Sequence, residues 1–223
     1  MKNYSQPYEG QLRAHGIKVP AVIREAPGII VFGHRIKSFA FTTDLCILRN
    51  IDADAILAVH PFTPQPIITD SILNAADVPV FTGVGGGLTT GRRVLNLAMD
   101  AEFRGATGVV VNSPTTNELV RELSQALDIP TVVTVISVNE DIDARIEAGA
   151  DMFNVSGAAD TPRIVEKIKK KYPMIPILAT GGPTDSSIRS TISAGADAIT
   201  YTPPSNGEIF KEKMNQYRQK LND

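Results

Sequence analysis

Apolar and polar positions fall in blocks along this chain, and the blocks recur with nearly the same wording. Glu147-Ala-Gly-Ala-Asp151 leads into the apolar run Met152–Ser156, and Ser193-Ala-Gly-Ala-Asp197 leads into Ala198–Thr202. Phe103-Arg-Gly-Ala-Thr107 leads into Gly108–Asn112, and a weaker copy, Asn50-Ile-Asp-Ala-Asp54, precedes Ala55–Pro61. Between these come runs opened by a proline: Val78-Pro79, Ile129-Pro130 and Ile175-Pro176. Successive phrases are separated by roughly 25 residues, the length of one strand plus one helix, which is the mark of a repeating βα unit.

The runs predict eight strands: Ser38–Thr43, Ala55–Pro61, Val80–Val84, Gly108–Asn112, Thr131–Val135, Met152–Ser156, Ile177–Thr180 and Ala198–Thr202. Each is continuously apolar rather than alternating, as a parallel strand covered on both faces should be. Amphipathic stretches follow them. Arg92–Arg104 keeps Val94, Leu95, Leu97, Ala98 and Met99 on a broad apolar face, and Thr116–Leu127 and Pro162–Tyr172 have helical patterns with start signals. The Gly-Ala pairs fit helix C-caps, because glycine enters the left-handed region cheaply. Eight near-equal units favour a closed ring over an open doubly wound sheet. The expected fold class is α/β, a single (β/α)8 TIM barrel over residues 38–223 with an N-terminal extension over 1–37. Within that extension, Pro27–Gly33 is expected as an extra strand or a plug across the barrel bottom, with His34 and Arg35 beside it. Tyr4–Pro20 is expected as an irregular arm against a neighbouring subunit.

Composition narrows the classes. The chain of 223 residues carries a formal charge of −2, which gives no sign of a nucleic-acid or membrane surface. One cysteine excludes an internal disulfide framework, and no Cys/His cluster has zinc-ligand spacing. The polar N-terminus lacks the apolar stretch of a signal peptide, so a cytosolic protein is expected.

In a barrel of this kind the site sits at the C-terminal strand ends. Aligning the repeats stacks Val59, Asn112, Ser156 and Thr202 at one level, and Gly83, Thr134 and Thr180 at another. The expected mouth is rich in hydroxyls and amides, with one acid, Asp44, and one histidine, His60. His60 suits general acid–base work because an imidazole titrates near neutrality; the alternative is a ring bonded to a backbone carbonyl. Asp44 either orients a substrate hydroxyl or caps the helix Leu45–Asn50. Asn112 is expected at the mouth and Asn154 in the barrel core. Cys46 is expected as a buried helix residue. The loop Gly83-Val-Gly-Gly-Gly-Leu-Thr-Thr-Gly91 is either a ligand loop, through Gly85, Gly86, Gly87 and Thr89, or a flexible turn; Thr89 or Thr90 is expected to cap the next helix.

The segment Ile177-Leu-Ala-Thr-Gly-Gly-Pro-Thr-Asp185, with Ile199-Thr-Tyr-Thr-Pro-Pro-Ser205 after it, puts bare amides and helix N-termini together, a ready anion site. Over 176–205 the sequence resembles the phosphate-binding TIM-barrel superfamily, the ribulose-phosphate-binding and inosine monophosphate dehydrogenase-like barrels. That resemblance implies a phosphate held by Gly181 and Gly182, assisted by Thr202, Pro204 and Ser205. The two prolines are a departure, since proline has no N–H to donate. No lysine lies between Lys37 and Lys167, which argues against Schiff-base chemistry on a barrel strand. The expected function is a cytosolic isomerase, non-imine lyase or hydrolase acting on a small phosphorylated metabolite, without a metal or other cofactor. An FMN-dependent oxidoreductase and a non-catalytic phosphometabolite sensor are the alternatives. A homo-oligomer is expected, since barrel proteins often pair.

Overall fold

The structure is a computed structural model that describes residues 16–222. A short antiparallel hairpin comes first, β1 (Ile29–Val31) and β2 (His34–Ile36). Eight parallel strands then close a barrel: β3 (Ser38–Phe41), β4 (Ala55–Ala58), β5 (Val80–Gly85), β6 (Gly108–Val111), β7 (Thr131–Val135), β8 (Met152–Val155), β9 (Ile177–Thr180) and β10 (Ala198–Tyr201). Each is followed by a helix: α1 (Leu45–Leu48), α2 (Pro66–Ala75), α3 (Arg92–Phe103), α4 (Asn117–Ala126), α5 (Ile142–Glu147), α6 (Thr161–Lys171), α7 (Asp185–Ser193) and α8 (Asn206–Asn222). The chain is therefore a (β/α)8 barrel. The strand after Asp54 stops at Ala58, short of the expected Pro61, where Val59 N–H turns back to Leu57 O instead of joining the ladder.

The repeated phrases have a structural cause. Gly105, Gly149 and Gly195 all take positive φ just past α3, α5 and α7. The alanine after each donates back five residues, Ala106 to Ala101, Ala150 to Arg145 and Ala196 to Thr191, which closes the helix ends. The aspartates that complete the phrase tie neighbouring strands together at the bottom of the barrel. Asp54 accepts from the amides of Lys37 and Ser38, Asp151 from Thr131 N–H at 2.8 Å, and Asp197 from Ile177 N–H at 2.8 Å. Where the repeat has Thr107 instead, Glu102 supplies the carboxylate to Asp128 and Ile129 N–H.

Two cores result. Inside the barrel, Phe39, Leu57, Phe81, Val110, Val132 and Leu178 pack with Ile29, Val31 and Ile36, so the hairpin plugs the bottom. His34 and Arg35 lie on that plug, remote from the strand C-termini. Outside, the helices' apolar faces cover the strands. On the wall between α7 and α1, the cover comes from the stretch before the hairpin. Val22 and Ile23 of a 3-10 turn, Ala21–Glu25, are buried against the core, Glu25 pairs with Arg189 of α7, and Ile17 bridges to Ile51. The expected arm Tyr4–Pro20 falls mostly outside the described residues. No helix among those described is long and apolar enough to cross a membrane.

Candidate active site at the barrel mouth

Side chains on alternate strand positions face inward, and at the C-terminal ends this gives a polar ring. Asn154 donates to Thr134 Oγ1 and Thr180 to Ser156 Oγ, each at 3.3 Å, while Thr200 Oγ1 is buried without a partner. The hydroxyl-and-amide mouth expected from the repeats is present on β7 to β10.

Across the ring, the loop after β4 carries the one histidine of the mouth among the described residues. A pocket of about 50 Å³ is lined by His60, Phe62, Gly85, Gly87, Thr89 and Asn112, among others. Four of the proposed site residues and the histidine thus meet in one place. His60 Nδ1 is buried and has no hydrogen-bond partner, so the carbonyl-bonded alternative does not satisfy that atom. A buried imidazole nitrogen left unpaired costs free energy unless a ligand or solvent completes it.

The glycine loop is seated on the next loop, not free above it. Gly85 O accepts from Asn112 N–H at 2.9 Å, and Gly86 N–H donates to Thr89 O at 2.9 Å. Gly86 has φ +93°, and a Cβ there would collide with Thr115 Oγ1 and lie 2.8 Å from Asn112 N. Only glycine allows this approach. Thr89 is buried, and neither it nor Thr90 caps α3; the N-cap is Gly91, with no side-chain bond.

Beneath Asn112, the segment 113–117 is held by a buried clamp. Arg145 of α5 donates to the carbonyls of Ser113 (2.8 Å) and Thr115, to Asn117 Oδ1 (2.9 Å) and to Glu140 Oε1 (2.7 Å). Glu140 in turn accepts from Ser113 Oγ at 3.3 Å. Neither Arg145 nor Glu140 stands out in the sequence, where both look like ordinary surface charges of a helix start.

Asp44 is the N-cap of α1, accepting from Cys46 N–H at 2.8 Å and Ile47 N–H at 3.2 Å, and it does not line the pocket with His60. Cys46 is exposed, not buried, because α1 is a single turn and its first residues face solvent.

Gly181 and Gly182 follow β9, and β9 and β10 lie opposite β5 and β6 in the ring. Gly181 is packed against Ile188 and Ile199; Gly182 has φ +82° and is exposed. Thr184 and Ser187 form a reciprocal capping box at the start of α7. Ser205 gives both its N–H and its hydroxyl to Glu208, whose carboxyl these bonds hold below its ordinary value. Thr202 and Pro204 are exposed beside it. No cluster of three metal-ligating side chains occurs among the described residues, and no barrel strand carries a lysine.

No protein-family profile matches the sequence, and no curated protein matches it. Among solved structures, the chain is similar to a phosphoenolpyruvate phosphomutase from Streptomyces platensis subsp. rosaceus. That match has 13% identity, covers 91% of this chain and 84% of that one, and has a TM-score of 0.61. A phosphonopyruvate hydrolase in complex with oxalate and Mg2+ matches at 12% identity, over 86% and 94% of the two chains, with a TM-score of 0.59. A dihydrodipicolinate synthase from Aquifex aeolicus matches at 20% identity, over 68% and 59%, with a TM-score of 0.53. At these identities the likeness shows the TIM-barrel fold alone. By name these neighbours are a mutase, a hydrolase and a synthase.

Proposed function

We propose that this barrel is an enzyme of the isomerase, lyase or hydrolase kind, acting on a small phosphorylated metabolite, with His60 as its general acid–base. The observation that carries the reading is His60 lining the mouth pocket beside Asn112 and the glycine loop, its Nδ1 held in the wall without a protein partner. A substrate group entering the pocket would meet His60 through the part of the ring that lines it, and Asn112 would orient the same group. The phosphate would sit on the facing side of the ring, at Gly182 and the start of α7. The Glu208 carboxylate on Ser205 opposes an anion on the β10 side, so the strand-nine turn carries more of that role than the last loop. Asp44, committed to α1, acts on the substrate only through its free oxygen. A pocket of about 50 Å³ suits one small reacting group and gives no support to a flavin ring. The neighbours' chemistry is compatible with this reading.

Incubation with a panel of small phosphorylated metabolites, read by mass spectrometry, finds the substrate. With it in hand, His60→Ala is expected to lower turnover by about 10²-fold or more, the usual contribution of a positioned acid–base. Unchanged turnover removes His60 from the mechanism. Ligand-induced stabilisation without product would instead favour a sensor.

A further inference from the structure

The hairpin that plugs the barrel has a second face, and that face does not read as a solvated one. A two-stranded sheet laid on a core should alternate, apolar towards the core and polar towards water. Ile29-Ile30-Val31-Phe32 is apolar without a break. Ile29 and Val31 join the barrel core, while Ile30 and Phe32 stay outside it, 62% and 64% exposed. Phe32 is also strained. It has φ +45° in a two-residue turn with Gly33, at φ +81°. Such a turn needs left-handed backbone at both positions and favours asparagine, aspartate or glycine at the first. A bulky aromatic there gains nothing from the barrel it leaves.

Beside the tip of the hairpin lies a groove of about 370 Å³. Ile30, Val31 and Phe32 line it together with Leu127, Ile129 and Pro130, and Asp128 and Asp151 add acids to its wall. These hairpin residues belong to β1 and its turn, so the groove lies on the β1 side. Arg35, paired with Ile30 across the ladder, is exposed on β2. Among the described residues, Arg35, Asp128 and Asp151 take part in no ion pair.

We propose that two copies of this chain pair through the outer face of the hairpin, Phe32 of each seated in the groove of the other. Self-complementarity selects a second copy as the occupant. A projecting ring and an apolar groove adjoin on one chain, so one two-fold axis gives each ring a groove and the contact closes as a dimer. Charge is divided in the same way, a cation on the β2 side of the apolar strip and two acids on the β1 side. The axis therefore brings Arg35 of one copy towards Asp128 of the other, whereas a membrane of anionic lipid would be repelled by the acids. At roughly 200 Å² for a large apolar side chain, Ile30 and Phe32 offer on the order of 250 Å² per copy. That is the apolar centre of an interface smaller than the standard of about 800 Å² per partner, so the dimer is concentration-dependent. The plug lies at the opposite end of the barrel from the mouth, and pairing there leaves both mouths open.

Sedimentation velocity of the full chain from about 5 to about 300 µM, where a small interface dissociates, should show the 24.0 kDa monomer passing to twice that mass. Phe32→Asn separates pairing from folding. Asparagine suits the left-handed position, so thermal stability should hold or rise while the dimer is lost. Charge then tests the axis. Asp128→Arg alone and Arg35→Glu alone should each be monomeric, because like charges meet at both ends of the contact. Their equimolar mixture should pair, because each contact regains opposite signs. A wild type that stays monomeric overturns the proposal. So does a Phe32→Asn dimer as tight as the wild type, or a mixture no more associated than its two components.

Discussion

Replacing Arg145 by alanine should be among the most damaging single changes in the chain, although Arg145 touches no part of the hydrophobic core that would be noticed first. Its guanidinium is 10% exposed and Glu140's carboxylate 13%, at 2.7 Å. The alanine variant leaves that carboxylate without its cation. It also strips the carbonyls of Ser113 and Thr115, and Asn117 Oδ1, of their donors. Removing one partner of a buried ion pair costs about 3–5 kcal/mol. With a urea m-value of about 2–3 kcal/mol/M for a domain of this size, the unfolding midpoint should fall by about 1–2 M. The loss should be one of unpaired charge rather than of packing. The double variant Arg145→Met, Glu140→Leu removes both charges but gives no donor to the Ser113 and Thr115 carbonyls or to Asn117 Oδ1, so it should recover only the part of the loss that comes from the unpaired carboxylate. Urea titrations of the three proteins, followed by far-UV dichroism, provide the measurement. A single variant within 1 kcal/mol of wild type, or a double variant restored fully to wild-type stability, would refute the argument that the clamp holds the segment 113–117.

Two further substitutions test the loops and the repeat. Gly86→Ala should cost about 2–4 kcal/mol, from a β-carbon forced to positive φ and overpacking against Thr115 and Asn112; it should also weaken binding of any mouth ligand found by thermal shift, whereas Gly33→Ala, with open space around it, should leave that binding unchanged. Asp197→Ala removes the acceptor of Ile177 N–H and the partner of Lys169 at 2.7 Å, and should lower stability by about 2 kcal/mol in urea titration with no effect on ligand binding.

The barrel was legible because its signals are local and repeated. A continuous apolar run between a glycine-capped helix and the next turn has few alternatives, and eight of them in series leave fewer. Pro27–Gly33 could be read only as an extra strand or a plug, since its apolar residues fit either and no repeat decides between them. Less could be read of the site. Asp44, Thr89 and Cys46 illustrate why: whether a polar side chain faces a ligand or its own backbone depends on one or two torsions at a loop end. Nothing in residue type or spacing records those torsions. Arg145 and Glu140 were invisible because an ion pair across two βα loops has no period.

The most direct test of the account is imidazole NMR. The chain has three histidines, of which His34 sits on the bottom plug and His60 at the mouth. Long-range 1H–15N spectra, with His60 assigned through His60→Gln, would be recorded during titration with the phosphorylated metabolite that the screen identifies. The account predicts that the His60 nitrogens shift with the ligand's own saturation curve while His34 stays fixed. A ligand that binds or is turned over while His60 remains unmoved would contradict it.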